Sequence, residues 1–77
     1  MNTEIQKDRL IAAAQRMMKN QSDAINSGNE VIASLYVERM AGIADATEAV
    51  YGISSPVTVA VFRMQTEAQK RYLEMRY

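Results

Sequence analysis

Few side chains in this sequence are of types that could perform catalysis or bind a metal. Histidine and cysteine are both absent, which removes the usual neutral-pH base, the commonest metal ligand, thiolate nucleophiles and disulfides. Acid–base catalysis by paired carboxylates needs partial burial, but Asp45 and Glu48, the only close pair in the central segment, fall on a predicted polar face. The three glycines are isolated from one another, so there is no phosphate-binding loop. We therefore expect no catalytic residue, no metal and no cofactor.

The length of the chain predicts a single domain that needs additional stabilisation. A domain of 77 residues buries only about 60% of the surface that its unfolded chain exposes. Small domains are usually supported by disulfides, bound metals or oligomerisation. The composition removes the first two, so we expect a homo-oligomer.

The charge balance and the apolar runs limit the classes of partner. Nine basic and nine acidic residues cancel, so no overall field attracts nucleic acid or an anionic membrane. The longest apolar run, residues 10–14, is far shorter than the roughly 20 residues that span a bilayer. The amino terminus has no basic segment followed by an apolar one, as a signal peptide would. We expect a cytoplasmic protein without a membrane partner.

Capping signals and hydrophobic spacing predict three helices, at about residues 3–26, 30–51 and 56–77. Residues 3–6 and 27–30 both fit the capping-box pattern at the start of a helix. Gly28 and Gly52 are placed to end the first two helices in the left-handed conformation, with Ile53 folding back onto the second. Ser55 followed by proline opens the third. Residues 20–22 could fray or kink the first helix, and Gly42 could kink the second.

Each helix has an apolar stripe that we assign to the core. The first stripe contains Leu10, Ile11, Ala14, Met17, Met18 and Ile25. The second contains Ile32, Tyr36, Met40, Ile43, Thr47 and Val50, widened by Leu35, Ala44, Ala46 and Tyr51. The third contains Val57, Val61, Met64, Ala68, Tyr72 and Met75. All five internal methionines fall on or beside these stripes, which favours gap-filling in the core over an adaptable binding surface.

The third helix carries a second seam, nearly opposite its core stripe. Alternating valines at positions 57, 59 and 61 are also compatible with a strand, but the spacing of the core stripe favours a helix. One helix of a three-helix bundle cannot bury two opposite faces, so the seam is either scattered exposed residues or a self-association surface. We predict self-association through Val59, Phe62, Thr66, Gln69, Leu73 and Tyr77.

Charge differs between the three helical segments. Residues 1–27 carry a net charge of +1, residues 28–52 carry −3, and residues 53–77 carry +2. An acidic helix between two basic ones suits antiparallel packing with flanking ion pairs. Exposed ion pairs contribute less than about 1 kcal/mol each, so they would help set the register of the helices rather than their stability.

Residues 46–62, ATEAVYGISSPVTVAVF, resemble the helix-turn-helix of bacterial repressors, whose turn often reads Gly, then Val or Ile, then Ser. The resemblance implies a second helix that reads DNA. Two features depart from it: Glu48 stands where such motifs usually have a small residue, and the second helix offers mainly valines where base contacts need polar side chains. Lys70 and Arg71 could touch phosphates, or complement the helix dipole. The candidate nucleic-acid contacts are Ser55, Thr58, Arg63, Lys70 and Arg71.

The sequence thus predicts an all-α fold, either a three-helix antiparallel bundle or a helical hairpin plus a third helix, in a homo-oligomer. The predicted role is a small non-enzymatic interaction or accessory protein that contacts itself and another protein through helix faces. One alternative is a DNA-binding regulator that uses residues 46–63. A second is a bundle that binds a small molecule among Met18, Met40 and Met64. In its general character the chain is similar to many accessory proteins of bacteria and their phages.

Overall fold

The computed structural model describes residues 3–77, and its regular structure is entirely helical over that range. The three helices are α1 (Thr3–Asn26), α2 (Glu30–Tyr51) and α3 (Pro56–Arg76). Each helix packs against both of the others, in a molecule that extends 41 × 19 × 14 Å. The predicted three-helix fold is confirmed, with boundaries correct to within one residue. Residues 57–62 are helical, so the strand alternative is excluded, and α2 continues as a helix through Gly42.

The turn between α1 and α2 is a Schellman motif centred on Gly28. This glycine has φ 73°, a left-handed value that costs glycine little. Its N–H donates to the Ile25 carbonyl at 3.0 Å, and the Asn29 N–H donates to the Ala24 carbonyl at 2.8 Å. These two bonds satisfy carbonyls that the end of a helix otherwise leaves unpaired, as predicted for Gly28.

The N-cap of α2 is Asn29, which corrects the prediction of a capping box over residues 27–30. The Asn29 side chain accepts a hydrogen bond from the Ile32 N–H at 3.1 Å. Because Gly28 reverses the chain direction, Ser27 still belongs to the end of α1. Its hydroxyl donates to the Asp23 carbonyl at 3.0 Å instead of capping α2. The capping box predicted at residues 3–6 depends on the Thr3 side chain, which lies outside the described part of the chain.

The turn between α2 and α3 differs from the predicted helix ending. Gly52 has φ 87° and ψ 157°, so its φ is positive as expected but its ψ directs the chain away from α2. Ile53 therefore does not fold back onto α2 and stays 69% exposed. Ser55 occupies the N-cap position and Pro56 the first turn of α3, as predicted, although the Ser55 side chain makes no capping hydrogen bond.

Small side chains form most of the core. Ala14, Met40 and Ala68 are fully buried together, and Met17, Met18, Val37 and Met64 pack against them. This arrangement agrees with the core role predicted for these methionines. The apolar residues that are buried throughout the described chain are Ala14, Ala24, Ala33, Met40, Ala44, Val57, Val61 and Ala68.

The face that α2 turns toward the core is rotated from the predicted one. Met40, Ala44 and Thr47 of the predicted stripe are buried, but so is Ala33, which lay outside it, whereas Ile32 is 36% and Val50 is 72% exposed. The prediction ranked positions by hydrophobicity and so assigned the larger aliphatic residues to the core. Helices that approach closely need small side chains at their contact, and the alanines of α2 meet this need. The stripe predicted for α3 is correct, since all its members are buried or half-buried.

Gln21 joins all three helices from the middle of the bundle. Its side chain is fully buried, and its amide Nε2 donates to the Ala68 carbonyl of α3 at 2.7 Å and lies 3.5 Å from the Ala33 carbonyl of α2. Both acceptor residues are fully buried alanines, whose methyl side chains let the amide reach the backbone. The predicted fraying or kink at residues 20–22 is wrong, because this region is helical and anchored in the core.

Replacement of Gln21 tests this anchor. In Gln21→Glu a carboxylate faces two carbonyl oxygens, and we expect a loss of about 3 kcal/mol or more of unfolding free energy at pH 7. Gln21→Met, which places no charge there, should lose about 1 kcal/mol. Burial raises the pKa of the introduced carboxyl above its unfolded value, so its destabilisation should shrink as the pH falls and the acid becomes protonated. Urea unfolding at pH 7 and pH 5 measures both effects. Equal stability of the two variants at pH 7 would contradict the assignment.

Gly42 and Gly52 form a matched pair for a second test. A Cβ atom added at either glycine meets no other atom within 4 Å, so the two sites differ mainly in backbone conformation. Gly42→Ala should raise the unfolding free energy by about 0.5–1 kcal/mol, because glycine is a poor helix former. Gly52→Ala should lower it by about 1–3 kcal/mol, because alanine is strained at a φ of 87°. Denaturant unfolding at one fixed protein concentration checks both; shifts of the same sign would refute the backbone explanation.

Candidate self-association surface

Large apolar side chains lie on the surface of this protein, while alanines occupy much of its interior. Val31 is 78% exposed, Val50 is 72% exposed, and Leu73 is 43% exposed. Single exposed apolar residues are common in soluble proteins. Here they are grouped on the outer faces of α2 and α3.

The six residues of the predicted seam all lie on the outer side of α3. Phe62 is half-buried and the other five are exposed, so neither α1 nor α2 covers them. A shallow open groove is lined by Ile53, Val59 and Phe62 at the amino-terminal end of α3. A second groove is lined by Thr66, Gln69, Leu73 and Tyr77 toward its carboxyl-terminal end. The structure therefore brings the predicted seam together as one continuous strip, which Ile53 extends.

The outer face of α2 was not identified as a surface from the sequence. Val31, Leu35 and Val50 are exposed along it. Leu35 and Val50 were predicted to lie in the core because α2 was given a single apolar stripe. A signal was present, because Ala33 shares a helix face with Met40 and Ala44 of that stripe and could have been included in it.

A cluster of charged and aromatic side chains joins the end of α3 to the start of α2. Arg76 Nε lies 3.2 Å from Glu30 Oε1. Its guanidinium carbon is 5.9 Å from the Tyr72 ring centre and 5.6 Å from that of Tyr77, within the range of cation–π attraction. Tyr72 first, then Tyr77 and Glu30, raise the pKa of Arg76 above its usual value. The cluster shows that α2 and α3 run antiparallel along their whole length.

The predicted flanking ion pairs form only in part. Arg76 and Glu30 connect two helices, as the charge pattern suggested. The pairs Lys19–Asp23, Lys70–Glu74 and Arg71–Glu67 each lie within a single helix, at a spacing of four residues. Exposed pairs of this kind contribute about 0.3–0.5 kcal/mol each, so packing is the main force between the helices.

The candidate nucleic-acid contacts do not all lie on one surface. Thr58 is fully buried, so its hydroxyl is not available to a phosphate. Ser55 is half-buried at the start of α3, and Arg63 is exposed. Lys70 is exposed, and its Nζ atom lies 4.0 Å from Glu74 Oε1. Arg71 points toward α1 and donates to the Ser22 hydroxyl at 3.0 Å.

The α2–α3 connection has the sequence of a helix-turn-helix but not its geometry. The two helices of that motif cross at about 90–120°. Here α2 and α3 lie side by side and antiparallel, as the Arg76–Glu30 contact at their far ends shows. The presumed recognition helix therefore packs along its neighbour, with Val57, Thr58 and Val61 buried in the bundle.

Other kinds of site find little support in the described residues. Glu48 is half-buried and Asp45 is exposed, and no group of three potential metal ligands occurs in the part of the chain that the structure describes. None of the described helices is both long enough and apolar enough to cross a membrane. The three methionines considered for a small-molecule site lie in the core, where Met18 and Met64 pack against fully buried Met40. These methionines do not line the two grooves on α3.

Comparison with known protein families, with characterised proteins and with solved structures finds no match to this chain.

Proposed function

We propose that this protein is a small non-enzymatic interaction protein that self-associates through the outer face of α3. One observation carries the proposal: the core is built largely from alanines, while larger apolar residues such as Val59 and Leu73 lie on the surface. Soluble monomers generally bury such residues when the fold allows it, and grouped apolar residues on a surface mark interaction sites.

The free energies of side-chain burial and of association favour one continuous contact over several scattered ones. Complete burial of one aliphatic or aromatic side chain contributes about 1.5–3 kcal/mol. Association of two proteins costs about 4–15 kcal/mol in lost translational and rotational freedom. Several side chains must therefore be covered together, and the seam supplies them in one strip from Val59 to Tyr77. A second copy that covers this strip would also supply the stabilisation that a domain of this size lacks.

The same surface suits the wider role as an accessory protein. A helical segment of another protein could lie along the α3 seam in the way that an amphipathic helix fills an apolar groove. The proposal includes a cytoplasmic location, and it includes binding to a second protein in addition to self-association. The sequence motivates both, and the exposed α3 seam supports the second.

Sedimentation velocity at tens of micromolar protein tests the proposal. The wild type should sediment as an oligomer, and Leu73→Glu should sediment as a monomer, because a charge within a buried contact must be desolvated. Phe62→Glu should act in the same direction. Ile5→Glu is the matched control, since Ile5 is 49% exposed on α1 and lies outside the seam; its sedimentation should equal that of the wild type.

Circular dichroism should show that the variants keep their helical content, because Leu73 and Ile5 are both partly exposed in the bundle. A wild type that is monomeric at these concentrations would contradict the proposal. An unchanged mass for Leu73→Glu would also contradict it.

A further inference from the structure

We infer that the second copy docks on a face made by α2 and α3 together, so that α2 of each copy lies on α3 of the other. The inference deepens the proposed function and rests on it, because it specifies the partner surface and the stoichiometry of the self-association. The occupant is one further copy of this chain, and the assembly is a closed dimer.

The required contact area favours two helices over one. A stable interface takes about 800 Å² from each partner. The outer face of α3, with 21 residues, is about 31 Å long and about 10 Å wide, or about 310 Å². The α2–α3 hairpin offers a face about twice as wide, of about 650 Å² before the relief of side chains is added. The α3 seam alone is too small, and α2 supplies the missing area.

Apolar surface extends from α3 to α2 at both ends of the hairpin. At one end, Val31 of α2 and Tyr72 of α3 line the same groove. At the other end, Ile53 lies in the loop between the helices and lines a groove with Val59 and Phe62 of α3. Val31 is 78% exposed and Ile53 is 69% exposed, so apolar surface is available at both ends of the hairpin.

Charge complementarity indicates which helices meet. The segment that contains α2 carries a net charge of −3, and the segment that contains α3 carries +2. On α2, Glu38 and Asp45 are exposed and make no ion pair within the described chain. On α3, Arg63 is likewise exposed without an ion pair there, and Lys70 has only a long contact of 4.0 Å with Glu74.

The spacing of these charges matches between the two helices. Glu38 and Asp45 are seven residues apart, as are Arg63 and Lys70. Seven residues span about 10.5 Å along a helix and return to nearly the same side of it. A contact between α2 of one copy and α3 of the other can therefore place each of the two acidic residues next to one of the two basic residues.

Symmetry then selects between two dimers. Two hairpins can stack face to face about a two-fold axis that runs across the helices, which places α2 on α2 and sets acidic residues against acidic residues. They can also stack about an axis that runs along the helices, which places α2 on α3. Like charges in contact disfavour an interface, and the second arrangement pairs opposite charges. The two-fold axis repeats that favourable contact, as in other isologous dimers.

Charge reversal tests the arrangement in the intact chain. One variant carries Glu38→Lys and Asp45→Lys, a second carries Arg63→Glu and Lys70→Glu, and a third carries all four substitutions. At low salt, the first two should dimerise at least about tenfold more weakly than the wild type, since each sets like charges together twice. The third should regain the wild-type affinity, because the reversed charges again face opposite partners. Its affinity and that of the wild type should fall in high salt.

The control is Arg9→Glu with Arg16→Glu, which reverses two exposed basic residues of α1 that are also seven residues apart. It should dimerise like the wild type in sedimentation equilibrium. If the α2 double variant and the α3 double variant each dimerise as well as the wild type, or pair preferentially with the wild type, α2 lies on α2 and the inference is overturned. A variant with all four substitutions that stays monomeric with full helical content also overturns it. The proposed function itself still stands after either result if Leu73→Glu loses the oligomer, and it is refuted only if the wild type is a monomer.

Discussion

The hydrogen bond from Gln21 to the Ala68 carbonyl is the constraint on which the rest of the structure depends. A side-chain amide can reach the backbone of a neighbouring helix only where that helix presents a small residue, and it can reach two helices only where both do so. Gln21 meets both conditions, with Ala68 at 2.7 Å and Ala33 at 3.5 Å. The three helices therefore approach closely around α1, and the positions nearest the axis hold alanine. The Nε2 donor of this buried amide is satisfied, whereas its Oε1 atom is buried without a hydrogen-bond partner among the described residues, which offsets part of the gain.

Close approach in the centre has a consequence at the surface. Helices that meet through alanines leave little room between them for larger aliphatic side chains, and only Val57 and Val61 are buried among the described leucines, isoleucines and valines. Val31, Leu35 and Leu73 lie on the outer faces, where they are 78%, 37% and 43% exposed. A bundle of this design holds its helices in a defined arrangement by hydrogen bonding and close contact. It leaves larger apolar side chains such as Val31 and Leu73 exposed.

The sequence predicted the helices and the core stripe of α3 well, but for α2 it missed Ala33 and placed Ile32 and Val50 in the core. Gly28 and Pro56 have strong local conformational preferences, so the helix boundaries follow from nearest neighbours in the chain. Which side of α2 faces inward depends on how closely the helices approach, and that distance is set by residues far apart in sequence, such as Gln21 and Ala68. Hydrophobicity alone ranked Ile32 and Val50 above Ala33. Gln21 was interpreted as a weak point in α1 because its acceptors lie on two other helices.

A core of alanines also affects how the protein responds to temperature. The heat-capacity change of unfolding arises mainly from apolar surface that becomes exposed, and it averages about 12–15 cal/mol/K per residue in globular proteins. Alanine side chains such as Ala14, Ala44 and Ala68 bury little apolar area each, so the isolated bundle should have a small value and a shallow stability curve. If copies associate through α3 as proposed, exposed apolar residues such as Leu73 would be buried as well. The curvature of stability with temperature would then depend on protein concentration as well as on the fold of one chain.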